Sequence, residues 1–117
     1  MANNVVHFEV HGKDGKRLQE FYTALFGWKI DADNPMQYGI VSAESGGISG
    51  GISQSPTAPM VTFYVAVADL AVALKNAARL GGKTLMEPHA VPGGPTIAMF
   101  SDPEGNPIGL LKAESRA

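Results

Sequence analysis

His7, Glu9 and His11 stand at every second position of the stretch VVHFEVH. An extended chain carries alternate side chains on one face, so two imidazoles and a carboxylate line up there for as long as the strand lasts. Three chemistries follow from that set. Imidazole and carboxylate ligate zinc, nickel or iron. A carboxylate desolvated on a half-buried wall has its pKa raised towards that of a useful base, with an imidazole beside it as its partner. The same groups also make a polar floor for a bound molecule. A metal site is the hardest of these to build, because ligands from one strand do not supply open tetrahedral geometry with a supporting shell. Glu9 and His7 are therefore the candidate catalytic pair, while His11 falls where the chain enters the turn HGKDGK.

The elements that must position these groups are legible from an internal repeat. Sliding the chain by 55 positions lays Val6 on Val61, Phe8 on Phe63, Val10 on Val65, Leu25 on Leu80 and Gly27 on Gly82. The element pattern repeats with it. In the first half, alternation predicts a strand at VVHFEV. Helical spacing of Leu18, Phe21, Tyr22 and Leu25 then predicts an amphipathic helix closed by a left-handed Gly27. Strands are expected at Trp28 to Asp31, Gln37 to Ser42 and Gly47 to Ser53, with Asp33 to Pro35 and Glu44 to Gly46 as breaks. In the second half the strand is Met60 to Val67. Asp69 caps a helix with the stripe Leu70, Ala73, Leu74, Ala77 and Leu80, and Gly81 and Gly82 end it. Strands follow at Lys83 to Pro88, Thr96 to Ser101 and Asn106 to Lys112. The expected fold is α+β: one domain over 1–117, with βαβββ modules at 1–54 and 60–117 joined by a linker at 55–59.

Composition narrows the function. With 44% apolar residues in 117, one domain can bury a core, and the absence of cysteine removes disulfides, thiolate metal sites and cysteine nucleophiles. Formal charge is −2, and Lys13, Lys16 and Arg17 are the one basic cluster, so no nucleic-acid footprint is present. No apolar run approaches the ~20 residues of a membrane-spanning helix, and MANNVVHFEV lacks the pattern of a signal peptide. A cytoplasmic protein whose partner is a small molecule or another protein is expected, with no nucleic acid and no membrane.

HFEV…FYTALFGWKI, VAVADLAVALKNAARLGGKT and FSDPEGNPIGLL together resemble the vicinal oxygen chelate superfamily, which includes glyoxalase I, extradiol dioxygenases and bleomycin-binding proteins. SGGISGGIS and VPGGP are most similar to a glyoxalase-like bacterial branch. The resemblance implies two βαβββ modules whose curved sheets form a cup or open barrel, and a homodimer. It also implies a divalent metal held by four side chains, one each from strands one, four, five and eight. Carried onto this chain, the first ligand position is His7, that on strand five is Thr62 and that on strand eight is Gly109, while GGISGGIS on strand four offers no carboxylate or imidazole. One imidazole does not hold a divalent cation against water, so no metal or other cofactor is expected.

The expected site is therefore a cup lined by His7, Glu9, Tyr38, Gly50, Thr62, Tyr64 and Gly109, with Gly51 expected to face it beside Gly50 and the glycines enlarging it. SGGISGGIS lacks the lysine and following helix of a phosphate loop. By the resemblance, the function is burial of a small aromatic or amphipathic molecule. The alternative is a glyoxalase-like lyase or isomerase, of the lactoylglutathione lyase type, in which Glu9 or His7 moves a proton or an unusual site holds the metal. The acids of FSDPEGNPIGLL read as a turn: Asp102 bonds back to the corner's amides, Gly105 takes the left-handed position and Glu104 is solvated.

Overall fold

A computed structural model describes residues 3–43, 47–55 and 59–113. The elements run β1 (Val5–Gly12), α1 (Gly15–Phe26), β2 (Ile30–Asp31), β3 (Gly39–Val41), β4 (Ser49–Gln54), β5 (Met60–Val67), α2 (Leu70–Arg79), β6 (Lys83–Ala90), β7 (Thr96–Ser101) and β8 (Pro107–Lys112). The order βαβββ occurs twice and the fold is α+β, as the repeat requires. The expected break at 44–46 and positions 56–58 of the expected linker lie outside the described residues. Two compact units divide the chain, one comprising His7–Thr62 and the other Met1–Val6 with Phe63–Ala117.

In the unit His7–Thr62 the strands lie in the order β2-β3-β4-β1. β1 and β4 run parallel, with His7 opposite Ser49, Phe8 opposite Gly50, Glu9 opposite Gly51 and His11 opposite Ser53. β3 is antiparallel to β4, and β2 to β3. Helix α1 begins at Asp14, whose side chain accepts from the Arg17 amide at 3.0 Å, satisfying one of the orphan donors of the first turn. It ends at Gly27, which is left-handed with φ 71°.

The face that α1 turns inwards differs from the expected stripe. Leu18 and Tyr22 are half-buried, but Phe21 and Leu25 are 55% and 57% exposed. The physical cause is Gln19, whose amide donates to the Ile52 carbonyl of β4 at 2.8 Å and to the Gln37 carbonyl at 3.2 Å. That tether turns the helix so that Leu18, Gln19 and Tyr22 face the strands. Leu18 presses against Gly12, where an added Cβ would meet its Cδ1 at 2.6 Å. β2 and β3 are also shorter than expected. Trp28 is held instead by rings, with centroids 5.6 Å from Phe8, 5.6 Å from Tyr22 and 5.0 Å from Phe26.

In the other unit the order is β5-β8-β7-β6. β5 runs parallel to β8 with Tyr64 opposite Gly109, and β7 is antiparallel to both β8 and β6. Asp69 caps α2 by accepting from the Val72 amide at 3.0 Å. Leu70 and Leu74 of that helix pack with Val67, Ala98 and Leu110 into a core. Burying each leucine is worth about 1.5–3 kcal/mol. Leu80, the last residue of the expected stripe, is 68% exposed because the helix stops at Arg79. The corner before β8 is the turn anticipated from the sequence. Asp102 accepts from the amides of Glu104 and Asn106 at 2.9 Å each, and Gly105 has φ 91°. The Asn106 side-chain amide, aided by the backbone amides of the turn, holds the Asp102 carboxyl below its usual range.

Candidate functional site

The parallel pairing of β1 with β4 puts one row of polar side chains on a shared face. Ser49 and Ser53 are four residues apart, as His7 and His11 are, so each histidine stands beside a serine. Ser49 Oγ lies 3.0 Å from His7 Nδ1, and Ser53 Oγ lies 3.0 Å from His11 Nδ1. Between the histidines stands Glu9, opposite Gly51. The absence of a side chain at Gly51 leaves room for the Tyr38 phenol, since a Cβ there would run into the Tyr38 hydroxyl.

Tyr38 completes the array. Its hydroxyl donates to Glu9 Oε2 at 2.9 Å and lies 2.8 Å from His7 Nε2, while the second carboxylate oxygen, Glu9 Oε1, is 2.8 Å from His11 Nε2. A phenol has one proton, so with that proton given to Glu9 the contact with His7 is one in which the imidazole donates. This assigns the Nε2–H tautomer to His7, with Nδ1 accepting from the Ser49 hydroxyl. An ionised carboxylate only accepts, so His11 Nε2 donates too, and in the neutral form of the ring Nδ1 accepts from the Ser53 hydroxyl. The hydrogen bonds therefore point from both ends, Ser49 to His7 to Tyr38 and Ser53 to His11, and converge on Glu9. The side chains of His11 and Glu9 are 17% and 12% exposed, which shields the pair from bulk water.

His11 thus belongs to the strand and to this network and not to the exposed turn assigned to it from the sequence. Gly50 likewise changes place. It lies opposite Phe8 and beneath its ring, on the face away from His7, and the glycine beside Glu9 is Gly51. Tyr38 precedes β3 instead of lying within it. Thr62, on β5, is 4% exposed. Tyr64 and Gly109 belong to the other unit, where a side chain at Gly109 would meet the Tyr64 ring. Sequence reasoning placed Gly51 beside Gly50 facing the cup but missed Ser49 and Ser53. Their signal was the matched four-residue spacing of serines and histidines on strands that a βαβββ unit pairs in parallel. A groove of about 590 Å³ runs along α1 and β1, walled by Val10, His11, Leu18, Phe21, Met60 and Val61, so that His11 borders it while His7, Glu9 and Tyr38 do not.

The residues do not fit the divalent metal that the fold family implies. Gly51 and Gly109 occupy matching places in the two β ladders and carry no donor, and each lies against a tyrosine. Both ring nitrogens of His7 and both oxygens of Glu9 are already engaged. Among the described residues no group of three or more His, Cys, Asp or Glu is arranged to hold a metal ion.

Burial lowers the pKa of His7 from its ordinary 6.5, against an opposing pull from the Glu9 charge. The unfolded chain therefore binds a proton that the folded chain resists. The stability held by neutral His7 is fully present above pH 6.5 and is lost as pH falls through the folded pKa. An NMR titration of the His7 ring protons should show a midpoint below 6.5, and His7→Gln should flatten this part of the stability profile. A midpoint at or above 6.5 would contradict the buried neutral imidazole.

Comparison with known proteins agrees with this architecture. The family of the glyoxalase-like domain matches residues 6–111. CFP32, a protein named as a glyoxylase in Mycobacterium tuberculosis and Mycobacterium bovis, is 26% identical over 110 residues. That alignment takes in 86% of this chain but only 42% of the relative, so the chain spans less than half the length of the curated relatives it matches. Among solved structures, the hypothetical protein BH1468 of Bacillus halodurans superposes with a TM-score of 0.69 at 14% identity, over 100% of this chain and 99% of its own. Methylmalonyl-CoA epimerase of Streptomyces coelicolor, in complex with 2-nitronate-propionyl-CoA, gives 0.67 at 15% identity over 98% and 100%. A glyoxalase/bleomycin resistance protein/dioxygenase superfamily member from Vibrio splendidus gives 0.66 at 16% over 96% and 100%. With the repeated βαβββ order and a family match across nearly its whole length, the chain belongs to the glyoxalase-like domain family of the vicinal oxygen chelate superfamily.

Proposed function

We propose that the polar face shared by β1 and β4 binds a small aromatic or amphipathic molecule without a metal ion. The observation that carries this reading is the Tyr38 hydroxyl, held between His7 Nε2 and Glu9 Oε2 at 2.8 and 2.9 Å. A hydroxyl and a carboxylate held in place beside an aromatic ring suit a ligand with an apolar body and one polar group. A second reading, proton transfer, is favoured by the two hydrogen bonds that converge on Glu9. In that reading the carboxylate takes a proton from a carbon beside a carbonyl and returns it to the product, as an isomerase does. The protein would work in the cytoplasm as a homodimer, with Phe21, Leu25 and Phe26, each more than half exposed, covered by the second copy.

A thermal-shift screen with phenols, small aromatic acids and CoA thioesters tests the binding reading. The thioesters are included because solved neighbours of this fold hold such compounds. A ligand at 100 times its Kd stabilises by ~2.7 kcal/mol. At least one compound should raise Tm, and Tyr38→Phe and Glu9→Gln should each remove most of the shift. Compounds whose shift survives both replacements bind elsewhere, and the reading then fails.

A further inference from the structure

We infer that Asn34 is a positioning residue of the His7–Tyr38–Glu9 array, locking Tyr38 through its backbone against strain held at Gln37. The Asn34 side chain closes a two-bond clamp on one residue. Its Oδ1 accepts from the Tyr38 amide at 2.9 Å and its Nδ2 donates to the Tyr38 carbonyl at 2.8 Å. The intervening turn is closed by the Gln37 amide on the Asn34 carbonyl at 3.0 Å. Between the two clamped ends sits Gln37, with φ 52°, the one non-glycine residue in the left-handed region among the described residues. A side chain there opposes its own backbone, and such a conformation persists only where its surroundings over-determine it. Here the surroundings are the Asn34 clamp and the Gln19 amide on the Gln37 carbonyl at 3.2 Å. Gly39, the residue after Tyr38, is equally constrained, since a Cβ on it would meet Gln19 and Ile30 within 3 Å.

A strained residue gripped from both sides, immediately before the tyrosine that bridges His7 and Glu9, is a device for aiming that phenol. Opening the clamp lets Gln37 relax to negative φ, and the turn of the backbone carries Tyr38 away from Gly51. Asn34 touches neither His7 nor Glu9 in any of its hydrogen bonds, so it acts through Tyr38 alone.

The functional side of this inference rests on the binding reading, whereas its structural side is measured without a ligand. Nitrogen-15 NMR of the His7 ring reports the phenol directly, because the Tyr38 hydroxyl fixes the Nε2–H tautomer. Asn34→Ala should leave the chain folded while the His7 signals move to the averaged positions of mixed tautomers. Gln37→Gly added to Asn34→Ala should restore the single tautomer, since glycine takes φ 52° without strain. For any probe found in the thermal-shift screen, Asn34→Ala should weaken binding at least tenfold and the double variant should recover it. An unchanged His7 tautomer in Asn34→Ala overturns the inference, as does failure of Gln37→Gly to rescue it. Should no compound shift the wild type, the binding reading fails while the tautomer measurement still decides the role of Asn34.

Discussion

Gly51→Ala is expected to lower stability by ~3 kcal/mol, combining overpacking with the loss of buried hydrogen bonds, and Tm by roughly 10 °C. The methyl group would run into the Tyr38 hydroxyl. β4 has no freedom to retreat, because Gly51 is paired with Glu9 on one side and Ile40 on the other. The phenol must therefore leave, and with it go the bonds to His7 Nε2 and Glu9 Oε2. A double-mutant cycle isolates the cause. Tyr38→Ala removes the ring and should itself destabilise, but on that background Gly51→Ala has space for its methyl and should cost less than about 0.5 kcal/mol. The coupling between the two positions should accordingly be at least about 2.5 kcal/mol. A Gly51→Ala penalty that stays the same with and without the ring would mean that glycine is needed there for something other than Tyr38. Tyr38→Phe separates packing from polarity. It keeps the ring over Gly51, loses only the hydroxyl, and should cost about 1 kcal/mol.

Why the pairing of Gly51 with Glu9 escaped a reading of the sequence while the row of His7 and Glu9 did not is a matter of which links in the chain of inference are local. The strand VVHFEV, the capping of α2 by Asp69, the left-handed Gly27 and the Asp102 turn each depend on residues within a few positions of one another, and all four are found as expected. The repeat added the strand and helix order of the second half. Register between strands is different, because it joins residues more than forty positions apart through a one-residue choice. Placing Gly50 with Gly51 on the His7 face was an error of one residue, and one residue turns a side chain to the opposite face. The inward face of α1 was misread for a related reason. Apolar periodicity points to Phe21 and Leu25, but one polar residue, Gln19, bonds to a β4 carbonyl and rotates the helix. Tyr38 was selected for its chemistry, and its geometry depends on Asn34 and on a left-handed Gln37 that no composition rule anticipates.

Glu9 is where the network's directions meet, so its replacement has the largest expected consequence for the site. Glu9→Ala leaves the Tyr38 hydroxyl and the His11 ring N–H without the acceptor they share, and should cost ~3 kcal/mol. Glu9→Gln should cost only about 1 kcal/mol, because an amide of the same shape keeps two contacts. It does so at the expense of direction. The carboxylate accepts at both ends, while an amide accepts at one end and donates at the other. If its NH₂ group faces Tyr38, the phenol accepts from it, turns its own proton to His7 Nε2, and His7 must carry its hydrogen on Nδ1 towards Ser49. If the NH₂ group faces His11, that ring accepts on Nε2 and carries its hydrogen on Nδ1 towards Ser53. Either way one of the two imidazoles inverts its tautomer and the other keeps it. Nitrogen-15 NMR of the two rings reads this outcome: wild type with Nε2–H on both, Glu9→Gln with one ring reversed. Two unreversed rings in a folded Glu9→Gln variant would refute the convergence of hydrogen bonds on Glu9, and with it the proton-transfer reading of the site. A reversed ring together with lost ligand stabilisation would show instead that the direction of the network, beyond its shape, is what the ligand requires.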